Sequence, residues 1–163
     1  MFECLAKRLF VCYHLITMVQ AETLQKYALF GGMLDEQIDK IIPLMKHESF
    51  APDDIIITEG KPNDKIYFLI EGQIEVKKGE VVLSHFGEGD VFGEMEVLDV
   101  MPAIASIRAV TQVRAITISN QTLREIYKID VKIFSLIIMN LARDLSRRLR
   151  RMDERMAESP ILI

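Results

Sequence analysis

The chain has no tryptophan, three histidines and two cysteines in 163 residues. Cys4 and Cys12 lie in one segment, too few for a disulfide framework or a four-cysteine iron–sulfur cluster, and they fit a reducing cytoplasm. His14, His47 and His85 fall in unrelated stretches, so no metal centre is expected from them. Positive charge is not in excess: the formal net charge of −4 and pI near 5.4 argue against non-specific binding of nucleic acid or anionic membranes. No apolar run is long and uninterrupted enough to read as a membrane span. Catalytic signatures are missing too. There is no GxxxxGK[ST] loop, no nucleophile with an evident base, and Asp53-Asp54 reads as a loop rather than an acid–base pair. A non-enzymatic protein is expected.

What is present is a string of short strands bracketed by helical patterns. Ile55-Ile56-Ile57 is a β-branched run stopped by Gly60 and Pro62. Ile66 to Ile70 is a second strand, Gly72 turns the chain into Ile74 to Val76, and Lys78-Gly79-Glu80 leads into Val81 to Phe86, where His85 reads as a barrel-surface residue. Ala105 to Val110 and Val113 to Ile118 follow. Strands at such spacing with Gly-rich turns suggest a β-sandwich or a jelly roll.

Leu24 to Phe30 and Leu34 to Met45 read as helices, the second with Asp35 as N-cap and Pro43 near its end. Thr122 to Tyr127 reads as a short helix, and Asp130 as the cap of a long one from Val131 to about Glu158. Along that helix Ile138, Leu141, Leu145, Leu149, Met152 and Met156 recur at steps of three or four, which suits either packing on the barrel or a coiled-coil seam. Its arginines (Arg143, Arg147, Arg148, Arg150, Arg151 and Arg155) alternate with Asp144, Asp153, Glu154 and Glu158 and read as a solvated face with i,i+4 pairs.

The sequence divides into an N-terminal segment (1–21), a helical lead-in and β region (22–118), C-terminal helices (119–158) and a tail (159–163). The first segment, apolar with Lys7 and Arg8, reads as an amphipathic helix packing on the barrel or a partner, or as sequence ahead of a start at Met18; a cleaved signal ending near Val19-Gln20-Ala21 is the competing reading.

The densest motif is Gly89-Asp90-Val91-Phe92-Gly93-Glu94-Met95-Glu96-Val97-Leu98, followed by Pro102-Ala103-Ile104-Ala105-Ser106-Ile107-Arg108-Ala109. It resembles the phosphate-binding cassette of cyclic-nucleotide-binding domains, which reads Phe-Gly-Glu, a short helix, then Pro-Arg-x-Ala-x-Val. The resemblance covers about residues 22–156 and implies an α+β, mainly β fold, a double-stranded β-helix or jelly-roll barrel flanked by N-terminal and C-terminal helices, with 119–158 as hinge and dimerisation helices. It implies a ligand site of Phe92, Gly93, Glu94, Met95 and Glu96 facing Ala103, Ile104, Ala105 and Ser106. In that picture Glu94 accepts from a ribose hydroxyl, Gly93 and the backbone N–H groups of Met95 and Glu96 face phosphate, Ser106 assists, and the helix from Val131 lids the base.

Two departures weaken such a site. Ala103 stands where the family carries an arginine, so the bidentate charged fork is lost, and each lost charge-assisted hydrogen bond is worth roughly 1.5–3 kcal/mol. Glu96 stands where a small residue is usual. Facing phosphate at ~4–5 Å, it would cost about 3–4 kcal/mol at an effective dielectric of about 20, and facing solvent it would cost nothing. About 4 kcal/mol separates micromolar from millimolar affinity. The implied function is a cytoplasmic regulatory sensor with cAMP or cGMP as a weak effector, acting as a parallel homodimer on a protein partner. The alternative is a dimerisation and docking module with no nucleotide ligand. With only Ser159 to Ile163 after the long helix, no DNA-binding domain and no membrane contact are expected.

Overall fold

The computed structural model describes residues 24–158. Eight strands run in the order β1 (Lys46–Phe50), β2 (Ile55–Ile57), β3 (Lys65–Glu71), β4 (Ile74–Lys78), β5 (Val81–Phe86), β6 (Val91–Phe92), β7 (Ser106–Ala109) and β8 (Val113–Ser119). They form two four-stranded antiparallel sheets, β1-β8-β3-β6 and β2-β7-β4-β5, the jelly roll that the resemblance implies and one of the two arrangements that strand spacing suggests. Among the described residues they are accompanied by the α-helices α1 (Asp35–Ile41), α2 (Glu94–Asp99), α3 (Asn120–Ile129) and α4 (Val131–Glu158).

The alternation along β3 explains why its apolar run is unbroken. Tyr67 and Leu69 face the opposite sheet and join Phe92, Ala103, Ile107 and Val113 in a core between the sheets. Ile66 and Phe68 point the other way and pack with Phe30, Ile38, Ile126, Ile133 and Ile137 from the helical layer. Both faces are covered, so period-two patterning disappears. At the β3–β4 turn, Gly72 has φ of 98°, and a Cβ there would stand 2.2 Å from the Gln112 carbonyl oxygen. Only glycine fits.

Several helix boundaries differ from the sequence expectation. Leu24 is helical, but the chain then turns, and the stretch to Phe30 forms a 3₁₀ turn at Ala28–Phe30 instead of a continuous helix. Asp35 is the first residue of α1 rather than its cap; Leu34 occupies the cap position, and its N–H donates to Gln37 Oε1 at 3.0 Å. α1 stops at Ile41 and gives way to a 3₁₀ turn at Ile42–Leu44, because Pro43 has no N–H for the next helical bond. The helix expected to run to Met45 is therefore shorter by a turn. β1 carries no alternating apolar signal and exists because β8 offers it a five-residue antiparallel register, Lys46 opposite Thr117 through Phe50 opposite Val113.

α4 begins at its expected cap, Asp130, whereas α3 begins at Asn120, two residues ahead of the expected Thr122, with Ser119 as its cap. Ser119 Oγ accepts from the Thr122 N–H at 3.1 Å, and Asp130 Oδ1 accepts from the Lys132 N–H at 2.8 Å. The first half of α4 is tied to the domain: Ile133, Ile137 and Leu141 are buried, and Asn140 Nδ2 donates to the carbonyls of Leu29 and Gly31, both at 2.9 Å. Among the described residues no helix is long and apolar enough to cross a membrane. The sequence readings for residues 1–21, for Cys4, Cys12 and His14, and for the tail lie outside the described residues.

Candidate functional site

β6 and α2 hold the centre of the cassette. Phe92 is buried between the sheets and stacks on Tyr67, ring centroids 4.8 Å apart and nearly coplanar at 3°. Burial pushes the Tyr67 phenol up to about 12, so it is neutral at ordinary pH. Gly93 follows with φ of 74°. A Cβ at this position would meet the Lys65 carbonyl oxygen at 2.7 Å and Asn63 Nδ2 at 2.9 Å. The glycine is thus demanded by the domain's own backbone, independent of any ligand. Asn63 braces the turn, Nδ2 donating to the Gly93 carbonyl at 3.0 Å and to the Lys65 carbonyl at 2.7 Å.

Glu94, first residue of α2, is 3% exposed. Its carboxylate is engaged by an arginine from the far end of the chain: Arg148 Nη1 on α4 donates to Glu94 Oε1 at 3.0 Å. Arg148 Nη2 also donates to the Val91 carbonyl and lies 2.7 Å from Asp144 Oδ2. The guanidinium carbon sits 4.5 Å from the centre of the Phe86 ring, a cation–π contact. Burial raises the Glu94 pKa above its ordinary value, and the Arg148 charge opposes that shift without cancelling it. Arg148 was expected on a solvated face. It forms its i,i+4 pair with Asp144, but its side chain is only 19% exposed because it also spans to the cassette.

The remaining site residues divide sharply. Met95 is exposed and Glu96 half-buried. Ala103 is buried among the inter-sheet side chains, with its backbone paired to Gly60 and Lys61 at 2.8 and 2.9 Å. Ala105 is buried, whereas Ile104 is half exposed. Ser106 Oγ accepts from the Glu59 N–H at 3.0 Å, so its hydroxyl braces a neighbouring loop. Arg108 cannot replace the missing cation at Ala103, because it bonds Glu75 Oε1 at 3.0 Å and also Asp53. That hydrogen bond from Arg108 holds the Glu75 carboxyl below its ordinary pKa. Among the described residues, no group of three or more His, Cys, Asp or Glu side chains could hold a metal ion.

The apolar stripe of α4 changes role along its length. Leu141 is buried in the domain, and Ile138 and Leu145 are half-buried. Leu149, Met152 and Met156 are 60%, 58% and 65% exposed. Leu149, Met152 and Met156 thus stand clear of the domain, whereas Leu141 packs inside it. Sequence reasoning missed Asn63 and Arg148 as site residues. The alternating acids around Arg148 disguised a residue with a specific long-range partner.

Comparison with known proteins agrees with this architecture. A family model described as the cyclic nucleotide-binding domain matches residues 47–130, just over half of the chain. A cyclic nucleotide-binding domain from Methylobacillus flagellatus superposes with a TM-score of 0.76 at 24% identity, over 88% of this chain and 85% of that one. A putative cyclic nucleotide-binding protein from Geobacter metallireducens gives 0.70 at 26% identity, over 81% and 99%. A cAMP-dependent protein kinase regulatory subunit from Hypocrea atroviridis is 30% identical over 69 residues, which is 42% of this chain and 15% of that relative's length.

Proposed function

This chain belongs to the cyclic nucleotide-binding domain family, and from that premise we propose that it is a non-enzymatic regulatory sensor that binds cAMP or cGMP weakly. The supporting observation is the state of Glu94. The residue that the family resemblance gives to a ribose hydroxyl is already bonded by Arg148 of α4, while Ala103 offers no charge to a phosphate. A ribose hydroxyl reaching Glu94 has to share or displace Arg148, and displacement loosens the hold of α4 on the cassette. Ligand occupancy is thereby converted into α4 position, and it shifts the balance only by the difference in its affinity for the two positions. The distal α4 residues Leu149, Met152 and Met156 carry the output, as a homodimer contact or a surface for a protein partner in the cytoplasm.

A second reading has its own observation. The Glu94–Arg148–Asp144 cluster is satisfied without any ligand, and Glu96 adds a further negative charge nearby. A module held permanently closed by Arg148 would serve only dimerisation and docking. Amide NMR spectra of the full chain titrated with millimolar cAMP and cGMP separate the two. Saturable shifts at Gly93, Glu94 and Ala105, accompanied by shifts along α4, are expected for the sensor. Unchanged spectra to about 5 mM, an affinity weaker than roughly −3 kcal/mol, would refute it and leave the docking module.

A further inference from the structure

An open groove of 410 Å³ runs between α2, α3 and the first turns of α4. Its wall on the cassette side is Val97 and Leu98; its wall on the α4 side is Phe134 and Ile138, one turn apart. Tyr127 of α3 packs edge-on against Phe134, with centroids 5.4 Å apart at 85°, and yet is 52% exposed. The apolar surface continues past the groove along the cassette tip, where Leu98, Val100 and Met101 are 42%, 84% and 60% exposed. Contiguous apolar exposure of this kind, edged by polar groups, is the mark of a contact surface.

The polar edge has one sign. Arg124 and Lys128 line the groove from α3 and make no ion pair among the described residues. The only acid of α3, Glu125, is not part of the lining and accepts from Gln121 Nε2 at 3.2 Å. No acidic residue lines the groove. Arg124 and Lys128 stand four residues apart, so about 5–6 Å separates their Cβ atoms, the same spacing that two acids four apart on another helix present. An apolar trough with a cationic lip at one-turn spacing is complementary to an amphipathic helix with apolar residues on one face and glutamates or aspartates beside them.

We infer that this groove is the docking site of an acidic amphipathic helix from a partner protein. The occupant's apolar side chains enter between Leu98 and Phe134, and its acids meet Arg124 and Lys128. The walls belong to the helix that carries Glu94 and the helix that carries Arg148, so a helix wedged between them favours one spacing of α2 and α4. The docking itself needs no nucleotide. The chain's own segment 1–21 has little to match the lip, since it carries Lys7 and Arg8 against Glu3.

The test uses the full chain and three synthetic peptides of about 16 residues, long enough to hold helical structure. One places leucines at i, i+4 and i+7 with flanking glutamates, the second replaces the glutamates with lysines, and the third replaces the leucines with serines. Binding is read by fluorescence anisotropy and mapped by amide NMR, with sedimentation to follow self-association. Expected are saturable binding of the glutamate peptide with shifts at Leu98, Tyr127 and Ile138, and no binding of the serine peptide. The double variant Arg124→Glu/Lys128→Glu should weaken the glutamate peptide about tenfold and favour the lysine peptide. Both side chains are solvent-facing at the lip, and Leu98→Asp supplies an independent block should the double variant melt early. Equal binding of glutamate and lysine peptides overturns the inference. So does binding mapped to Leu149–Met156, failure of the glutamate peptide to bind, or conversion of a dimer to a monomer by the double variant, which would make a second copy the occupant.

Discussion

Truncation of Arg148 to alanine removes at one stroke the bond to Glu94, the bond to the Val91 carbonyl, the pair with Asp144 and the contact over Phe86. The charge-assisted bond to the buried Glu94 is worth about 1.5–3 kcal/mol. The i,i+4 pair with Asp144 adds roughly 0.3–0.5 kcal/mol and the cation–π contact about 0.5–1 kcal/mol. The penalty of an unpaired buried carboxylate is limited, because burial already raises the Glu94 pKa and the acid can take a proton. A loss of about 3 kcal/mol follows, and at ~2–4 °C per kcal/mol for a domain of this size the melting midpoint should fall by about 6–12 °C. The assay is urea unfolding of wild type, Arg148→Ala, Glu94→Gln and the double variant. The cycle should return a coupling of about 1.5 kcal/mol or more between the two positions. Hydrogen exchange should rise along α4 beyond Leu145 in Arg148→Ala. A single-variant loss below about 0.5 kcal/mol with negligible coupling would place Arg148 among ordinary surface charges and remove the proposed link from cassette to helix.

Four further outcomes are expected. Because the folded pKa of Glu94 is raised, its contribution is fully present below its ordinary value near 4.5 and is lost as pH rises through the folded value; Glu94→Gln should flatten that part of the stability–pH curve, as checked by melts across pH 4–8. Val100 sits at φ of 59° and is 84% exposed, so Val100→Gly should relieve left-handed strain and gain about 0.5–1 kcal/mol after the added chain entropy, measured by urea midpoint. Gly93→Ala should cost about 2–3 kcal/mol through the positive φ and the 2.7 Å approach to the Lys65 carbonyl, and its circular dichroism melt should drop accordingly. Ala103→Arg should tighten cAMP or cGMP binding at least about tenfold in calorimetry if the cassette is competent, and no gain in a folded variant counts against the sensor.

Local chemistry was enough for much of this molecule. β-branched runs closed by Gly60, Gly72 and Gly79 mark β2, β3, β4 and β5, because strand propensity and turn geometry act over a few residues. The cassette was legible for the same reason: Phe92, Gly93 and Glu94 are contiguous, and the left-handed turn at Gly93 is a requirement on one residue. Asp130 announced α4 through capping alone, whereas the cap of α3, Ser119, was not singled out and that helix was expected two residues late, at Thr122. β1 was not legible, since Lys46-His47-Glu48-Ser49-Phe50 has no apolar period and becomes a strand only by pairing with β8.

Long-range geometry supplied the rest. The α4 stripe is visible in sequence from Ile138 to Met156, yet only the position of the N-terminal turns and β-sheet decides that Leu141 is core and Met152 is exposed. Six arginines on α4 look alike in one dimension. One of them meets Glu94, 54 residues away, because the phase and crossing of α4 carry that residue alone to the cassette, where a buried carboxylate requires a partner. Strand and turn patterns together with the cassette motif point to the jelly roll, and the alanine at position 103 is read directly, because all of these are local facts of the chain. Tertiary structure alone decided that Arg148 occupies Glu94 and that α2, α3 and α4 leave an open groove, because both depend on how separate helices pack in space.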